Sequence, residues 1–145
     1  MAGLRYGRAA WIFCVAYVVV TVLAIGLSVA IGMIGHIPPT PALSERFLPG
    51  MNLVVWGIFA GIYFRGRADA AGLRGEAYGL GGFWLAGAVV VDYVGFVLIR
   101  NPLSLSPHDF YVGQAPWIYL IYVAIFLGPV FRVALQGFKP APAKV

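Results

Sequence analysis

AYGLGGFWLAGAVVVDYVGFVLI, residues 77–99, is the stretch on which the fold turns, and it holds a single charge, Asp92. As a helix at 1.5 Å per residue, a run of this length reaches about 35 Å, enough to cross the roughly 30 Å hydrocarbon layer of a bilayer. Fifteen uncharged residues precede Asp92 within the run, and seven follow it before Arg100. A carboxylate in hydrocarbon costs roughly a few kcal/mol at least, so an acid at this position is a functional-site candidate by default.

The rest of the chain agrees with a lipid environment. Of 145 residues, 61% are hydrophobic and 10% are charged. Soluble domains carry about a quarter charged residues, so a soluble fold of this size has no way to hide so much apolar surface. The net charge of +5 does not point to nucleic acid, because the bases sit in short clusters between apolar runs, as membrane topology requires.

Three further stretches have the length and apolar character of spans: 9–34, which is uncharged; 47–64, with Pro49 near its start; and 115–135, with Arg132 near its end. His36-Ile37-Pro38-Pro39-Thr40-Pro41 breaks the first from the second, because proline removes backbone donors and biases its neighbours to extended shapes. A short basic connection from Arg65 to Arg74 follows the second. Asn101-Pro102 and Ser106-Pro107 break the chain after the third. The tail 139–145, rich in Pro and Ala, reads as disordered. The expected fold is therefore all-α: one integral-membrane domain over residues 1–145, a four-helix antiparallel bundle. Ser28-Val29-Ala30 loosely resembles a signal-peptidase site, but the apolar run before it exceeds the roughly 7–15 residues of a signal core. The first span is read as retained.

Orientation follows from the bases. Arg5, Arg8, Arg65, Arg67, Arg74, Arg132, Lys139 and Lys144 fall on one side, and Arg46 and Arg100 on the other. The positive-inside rule then puts both termini in the cytoplasm and the two proline-containing loops outside, the membrane being the plasma (inner) membrane. Trp11, Trp117, Phe110, Tyr111 and Phe138 fall near span ends, as interfacial aromatics do.

Membrane helices associate through small residues. The stripes available are Ala24, Ser28 and Gly32 in the first span, Gly57 and Gly61 in the second, and Gly81, Ala88 and Gly95 in the third. Gly128-Pro129 is expected to bend the fourth. Cys14 reads as a small buried hydrophobe. Gly79-Leu80-Gly81-Gly82 opens an apolar span and follows no strand, so it is not a nucleotide loop.

Asp92 lies about four residues outward of the middle of its span, roughly 6 Å. The same arithmetic places Asn52 and Tyr122 at its depth, with Ser28 and Tyr119 somewhat further out. These five residues form the candidate proton- or ligand-binding set. Loss of water favours a neutral carboxyl and hydroxyl or amide donors favour the anion, so an acid in such a polar layer can exchange a proton. Tyr119 and Tyr122, neighbours at i, i+3, could line an outward pocket with Trp56. Arg132 is placed to snorkel to the headgroups or to pair with Glu76. His36, His108, Glu45 and Asp109 share the outer side, but no tight ligand spacing supports a zinc site. No catalytic residue set, resident metal or cofactor is expected, and the chain is not read as an enzyme. The function the sequence favours is a small oligomeric transport or permeation protein with a protonatable Asp92. The alternative is a non-catalytic accessory or ligand-binding subunit of a larger membrane complex. The implied partners are the bilayer and either further copies of the chain or another membrane subunit.

Overall fold

The computed structural model describes residues 4–66, 70–100 and 104–137. Arg67, Asn101, Pro102 and the tail from Phe138, including Lys139 and Lys144, lie outside them. The described residues form helices and no strands. Helix α1 is Tyr6–Gly35, α2 is Leu48–Tyr63, α3 is Ala70–Asp92 and α4 is Trp117–Gly137. Three of the four apolar stretches build helices long and apolar enough to cross a membrane: Tyr6–Gly35, Gly72–Leu98 and Trp117–Gln136. The second stretch makes a helix of 16 residues, about 24 Å long at helical rise. It is preceded by two short 3-10 turns, Pro41–Leu43 and Glu45–Phe47, which use up chain that a longer helix would need.

Contacts at one end join Arg5 to Tyr63, Arg8 to Ile62, Tyr63 to Glu76 and Gly61 to Arg132. The start of α1, the end of α2, the start of α3 and the end of α4 therefore meet there. Both described chain ends lie at this end. At the opposite end, the Leu105 amide donates to the Phe96 carbonyl at 2.8 Å, and Phe96 stacks on Phe110. The register between α1 and α3 is readable from sequence separation. Trp84 Nε1 donates to the Ala9 carbonyl and Tyr17 meets Asp92, both at a separation of 75 residues. A constant separation means that the two helices run in the same direction.

Glycine does much of the packing between helices. A Cβ at Gly81 would collide with the Phe126 carbonyl oxygen of α4. One at Gly128 would come within 2.8 Å of Trp56 Cβ and 3.1 Å of the Gly57 nitrogen. The proline after Gly128 does not end the helix: α4 continues through Pro129 to Gly137. Close backbone approach of this kind is how helices gain contact in lipid, where apolar side chains gain nothing by leaving the solvent. The centre is filled by Trp56, Trp84, Leu80 and Ala88, all fully buried, and by Phe13. Trp56 lies 5.2 Å from Trp84 and 5.7 Å from Phe13, ring centre to ring centre.

Two sequence expectations change here. The Ser28 and Gly32 stripe of α1 meets the following loop. Ser28 Oγ lies 2.7 Å from Ser44 Oγ, and a Cβ at Gly32 would stand 3.0 Å from the Ile37 carbonyl. The chain turns back sharply at His36, which is left-handed at φ 51°. Cys14 is exposed on α1, because the buried face of that turn runs through Ala9, Ile12, Phe13 and Ala16 and Cys14 points away from it.

Gly81→Ala is expected to destabilise the fold by about 1–3 kcal/mol, since a backbone carbonyl cannot step aside as a side chain can. Gly26→Ala, in open space on α1, should be neutral or slightly stabilising, by up to about 1 kcal/mol of helix propensity. Thermal unfolding of the two variants in the same detergent checks the contrast; equal melting temperatures would contradict it.

Candidate functional site

Asp92 is the last residue of α3 in regular α-helical form, and it is buried at 8% exposure. Immediately after it the helix widens into a π-helical turn, Tyr93–Leu98, closed by the Ile99 amide donating to the Val94 carbonyl at 2.9 Å. Such turns shift the backbone pairing by one residue and recur at functional positions.

Each Asp92 oxygen has its own donor. Tyr17 of α1 donates to Oδ1 in a short hydrogen bond, and Tyr122 of α4 donates to Oδ2 at 2.8 Å. Among the described residues no Lys, Arg or His pairs with the carboxylate. Tyr111 stands beside Tyr122. Tyr111 belongs to a short turn, Asp109–Gly113, in the segment between α3 and α4. That segment begins with a reciprocal cap: Ser106 Oγ donates to Asp109 Oδ2 at 2.7 Å and accepts from the Asp109 amide at 3.1 Å. Its Phe110 is buried, stacked on Phe96 and edge-on to Tyr111. The tyrosine–carboxylate cluster is thus roofed by aromatic rings towards the loop end. Towards the termini it is floored by Phe13, whose ring lies 5.7 Å from that of Tyr17, and by the two buried tryptophans beyond.

Of the five residues the sequence nominated, the structure brings two together, Asp92 and Tyr122. Asn52 is buried but turned to its own helix. Its amide donates to the Leu48 carbonyl at 2.9 Å, and its Oδ1 accepts from Trp56 Nε1 at 2.9 Å. The indole needs that acceptor because it is fully buried. Ser28 holds the loop after α1 through Ser44. Tyr119 is 50% exposed on the outer surface of α4, and Trp56 lies in the core, so the two do not line a shared pocket. Arg132 and Glu76 do not pair; Glu76 Oε1 accepts from the Tyr63 hydroxyl at 2.7 Å. His108 has Asp109 beside it at 3.7 Å, both exposed, and no group of three or more His, Cys, Asp or Glu gathers among the described residues.

The residue that sequence reasoning missed is Tyr17. Matching span midpoints put it about 7 Å inward of centre, well away from Asp92. That arithmetic fails because α1 has 30 residues and, at its offset of 75 residues from α3, runs on past the level where the third span ends, so its midpoint is not at the depth of the others. The usable signal was chemical: Tyr17 is the one aromatic hydroxyl in the uncharged stretch 9–34.

Comparison with known proteins finds no family model, curated protein or solved structure that matches this chain. The reading of the site rests on its own chemistry.

Asn52→Leu is expected to cost about 1–3 kcal/mol by stranding the Trp56 indole N–H, while leaving the carboxyl infrared band of Asp92 unchanged. Tyr17→Phe and Tyr122→Phe should each shift that band and cost about 0.6–2 kcal/mol, the range for hydrogen bonds between membrane helices. Infrared difference spectra with Asp92→Asn as the reference check both statements. A band shift in the Asn52 variant would contradict the separation of the two networks.

Proposed function

We propose that the chain is a small, non-enzymatic transport or permeation protein in which Asp92 takes up and releases a proton. The observation that carries this reading is the convergence of two tyrosine hydroxyls, from α1 and α4, on a buried acid that no cation among the described residues neutralises. A permanently ionised acid in lipid calls for a fixed counter-charge, and intramembrane acids of this kind mark ion and proton pathways. Tyr111, beside Tyr122, offers the next hydroxyl between the loop end and the carboxyl. The Phe13–Trp56–Trp84 layer closes the way to the other end, so passage across the membrane requires that layer to rearrange. In this reading the four helices form an antiparallel bundle in the plasma membrane with both termini cytoplasmic, which the meeting of Arg5, Tyr63, Glu76 and Arg132 at one end supports. Self-association is part of the proposal: Gly75, Gly79 and Gly82 of α3 have open space where a Cβ would stand, a smooth face on which another helix can pack.

The same open face supports a second reading, an accessory subunit docked on a different membrane polypeptide. Native mass spectrometry of the protein from its own membrane separates the two, as copies of itself or as a fixed hetero-complex.

Asp92→Asn is expected to fold, keeping its helix content and melting temperature, and to lose pH-dependent flux. The measurement is proton entry into liposomes that contain a pH-sensitive dye and the reconstituted protein, with an imposed pH gradient. An unchanged flux profile in Asp92→Asn, or flux no faster than in empty liposomes for the unmodified chain, would overturn the proposal.

A further inference from the structure

We propose that Glu76 is a second proton-binding group, serving the termini end of the path as Asp92 serves the loop end. The inference rests on the transport reading and deepens it by adding a second residue to the route. It starts from one face of α3. Glu76, Leu80, Trp84, Ala88 and Asp92 follow one another at intervals of four, and all five are buried. Residues so spaced form a stripe that winds slowly around a helix, and this inward stripe carries an acid at each end. Leu80, Trp84 and Ala88 between them are fully buried. Sixteen positions part the two acids, roughly 24 Å along the axis, with Trp84 midway.

The two acids are held alike. Glu76 is 7% exposed and Asp92 8%, and each accepts from tyrosine hydroxyls of neighbouring helices. Tyr63 of α2 donates to Glu76 Oε1 at 2.7 Å, and Tyr17 of α1 and Tyr122 of α4 donate to Asp92. The Tyr63 hydroxyl itself accepts from the Arg5 amide at 3.0 Å, which leaves its own proton directed at the carboxyl. Within the apolar span Gly72–Leu98, Glu76 stands roughly 6 Å from the start and Asp92 roughly 9 Å from the end. An acid this near the membrane surface reaches water if its side chain turns outward. Glu76 turns into the bundle instead. Inward-facing carboxyls in membrane spans form proton relays. With one near each surface and the Phe13–Trp56–Trp84 layer between, a proton has a binding group on either side of the barrier. The ionisable groups packed at this end come from every neighbouring element: Arg5 and Arg8 from the start of α1, Tyr63 from α2 and Arg132 from α4, with Arg74 on α3 itself. Arg8 is engaged by the Ile62 carbonyl at 2.7 Å, and Arg132 lies against Gly61.

The experiment measures proton flux in liposomes that hold the full chain in one orientation, with pH varied on the termini side and the loop side in turn. Glu76→Gln keeps an oxygen that accepts from Tyr63 but cannot release a proton. Its melting temperature should match that of the unmodified chain. Flux should fall about tenfold or more, since a positioned proton-transfer side chain is worth at least that much in rate, and the dependence on termini-side pH should disappear. Glu76→Asp returns a carboxyl and should restore that dependence. Tyr63→Phe keeps the acid but removes its donor, and should move the termini-side midpoint, which keeps the test open if Glu76→Gln does not fold. Glu45→Gln changes an acid at the loop end, off the stripe, and should leave flux as it is. Termini-side pH dependence kept in Glu76→Gln, an unmoved midpoint in Tyr63→Phe, or an equal loss in Glu45→Gln would overturn the inference. If Asp92→Asn still loses flux in that case, the transport reading stands alone. No flux in the unmodified chain would overturn both.

Discussion

The structure depends on the need to supply donors to one carboxylate in a solvent that has none. Lipid tails cannot hydrogen-bond, so whatever satisfies Asp92 must come from the protein. Two helices supply it, α1 through Tyr17 and α4 through Tyr122. Because each helix can present its hydroxyl to a separate oxygen at only one axial position, the pair fixes the height of α3 against both neighbours. The constant offset between α1 and α3, from Trp84 and Ala9 to Asp92 and Tyr17, is the visible result.

Packing elsewhere makes that convergence affordable. Phenolic side chains reach a shared acid only if the helices carrying them stand close. Here α4 approaches α3 at Gly81 and α2 at Gly128, where any larger residue would meet backbone. The large rings then fill what the glycines leave open. Trp56 and Trp84 are fully buried, and each finds an acceptor for its indole N–H, Asn52 Oδ1 for one and the Ala9 carbonyl for the other. Small residues set the distances between helices, and the aromatic residues set what can pass between them.

Most of the helical architecture was legible in the sequence because it depends on composition and breaks. Uncharged runs and proline clusters located α1 and α4 to within a few residues, whereas α3 begins at Ala70, well before residue 77, because its first turns carry Arg74 and Glu76 and a hydropathy reading cannot see them. The second run, read as 47–64, became α2 at Leu48–Tyr63; its bounds were legible, and its 16 residues are fewer than the roughly 20 of a usual span. The site was legible in part. Asp92 announced itself by cost, and Tyr122 by sharing its depth. Asn52 shared that depth too but faces its own helix, and depth arithmetic contains no information about which way a side chain points. Tyr17 escaped because a 30-residue helix has no reason to be centred on the others.

The remaining matter is why position 92 holds an acid. Asparagine has one oxygen that would accept from one tyrosine and an amide that would donate to the other, so it would hold α1, α3 and α4 together with a similar number of bonds. Interhelical hydrogen bonds in membranes are weak enough that this substitution would lose little as a pin. What asparagine lacks is the ability to change its charge. Arg132 makes the complementary point nearer the termini end. In a molecule built only for stability, the buried acid and the half-buried base would be placed to neutralise each other, or replaced by apolar residues of similar volume at no loss. Here they are separated by roughly 15 Å along the bundle, the ten-residue distance on α4 from Tyr122, which donates to Asp92, to Arg132. A role confined to holding helices together does not require an ionisable group at either position.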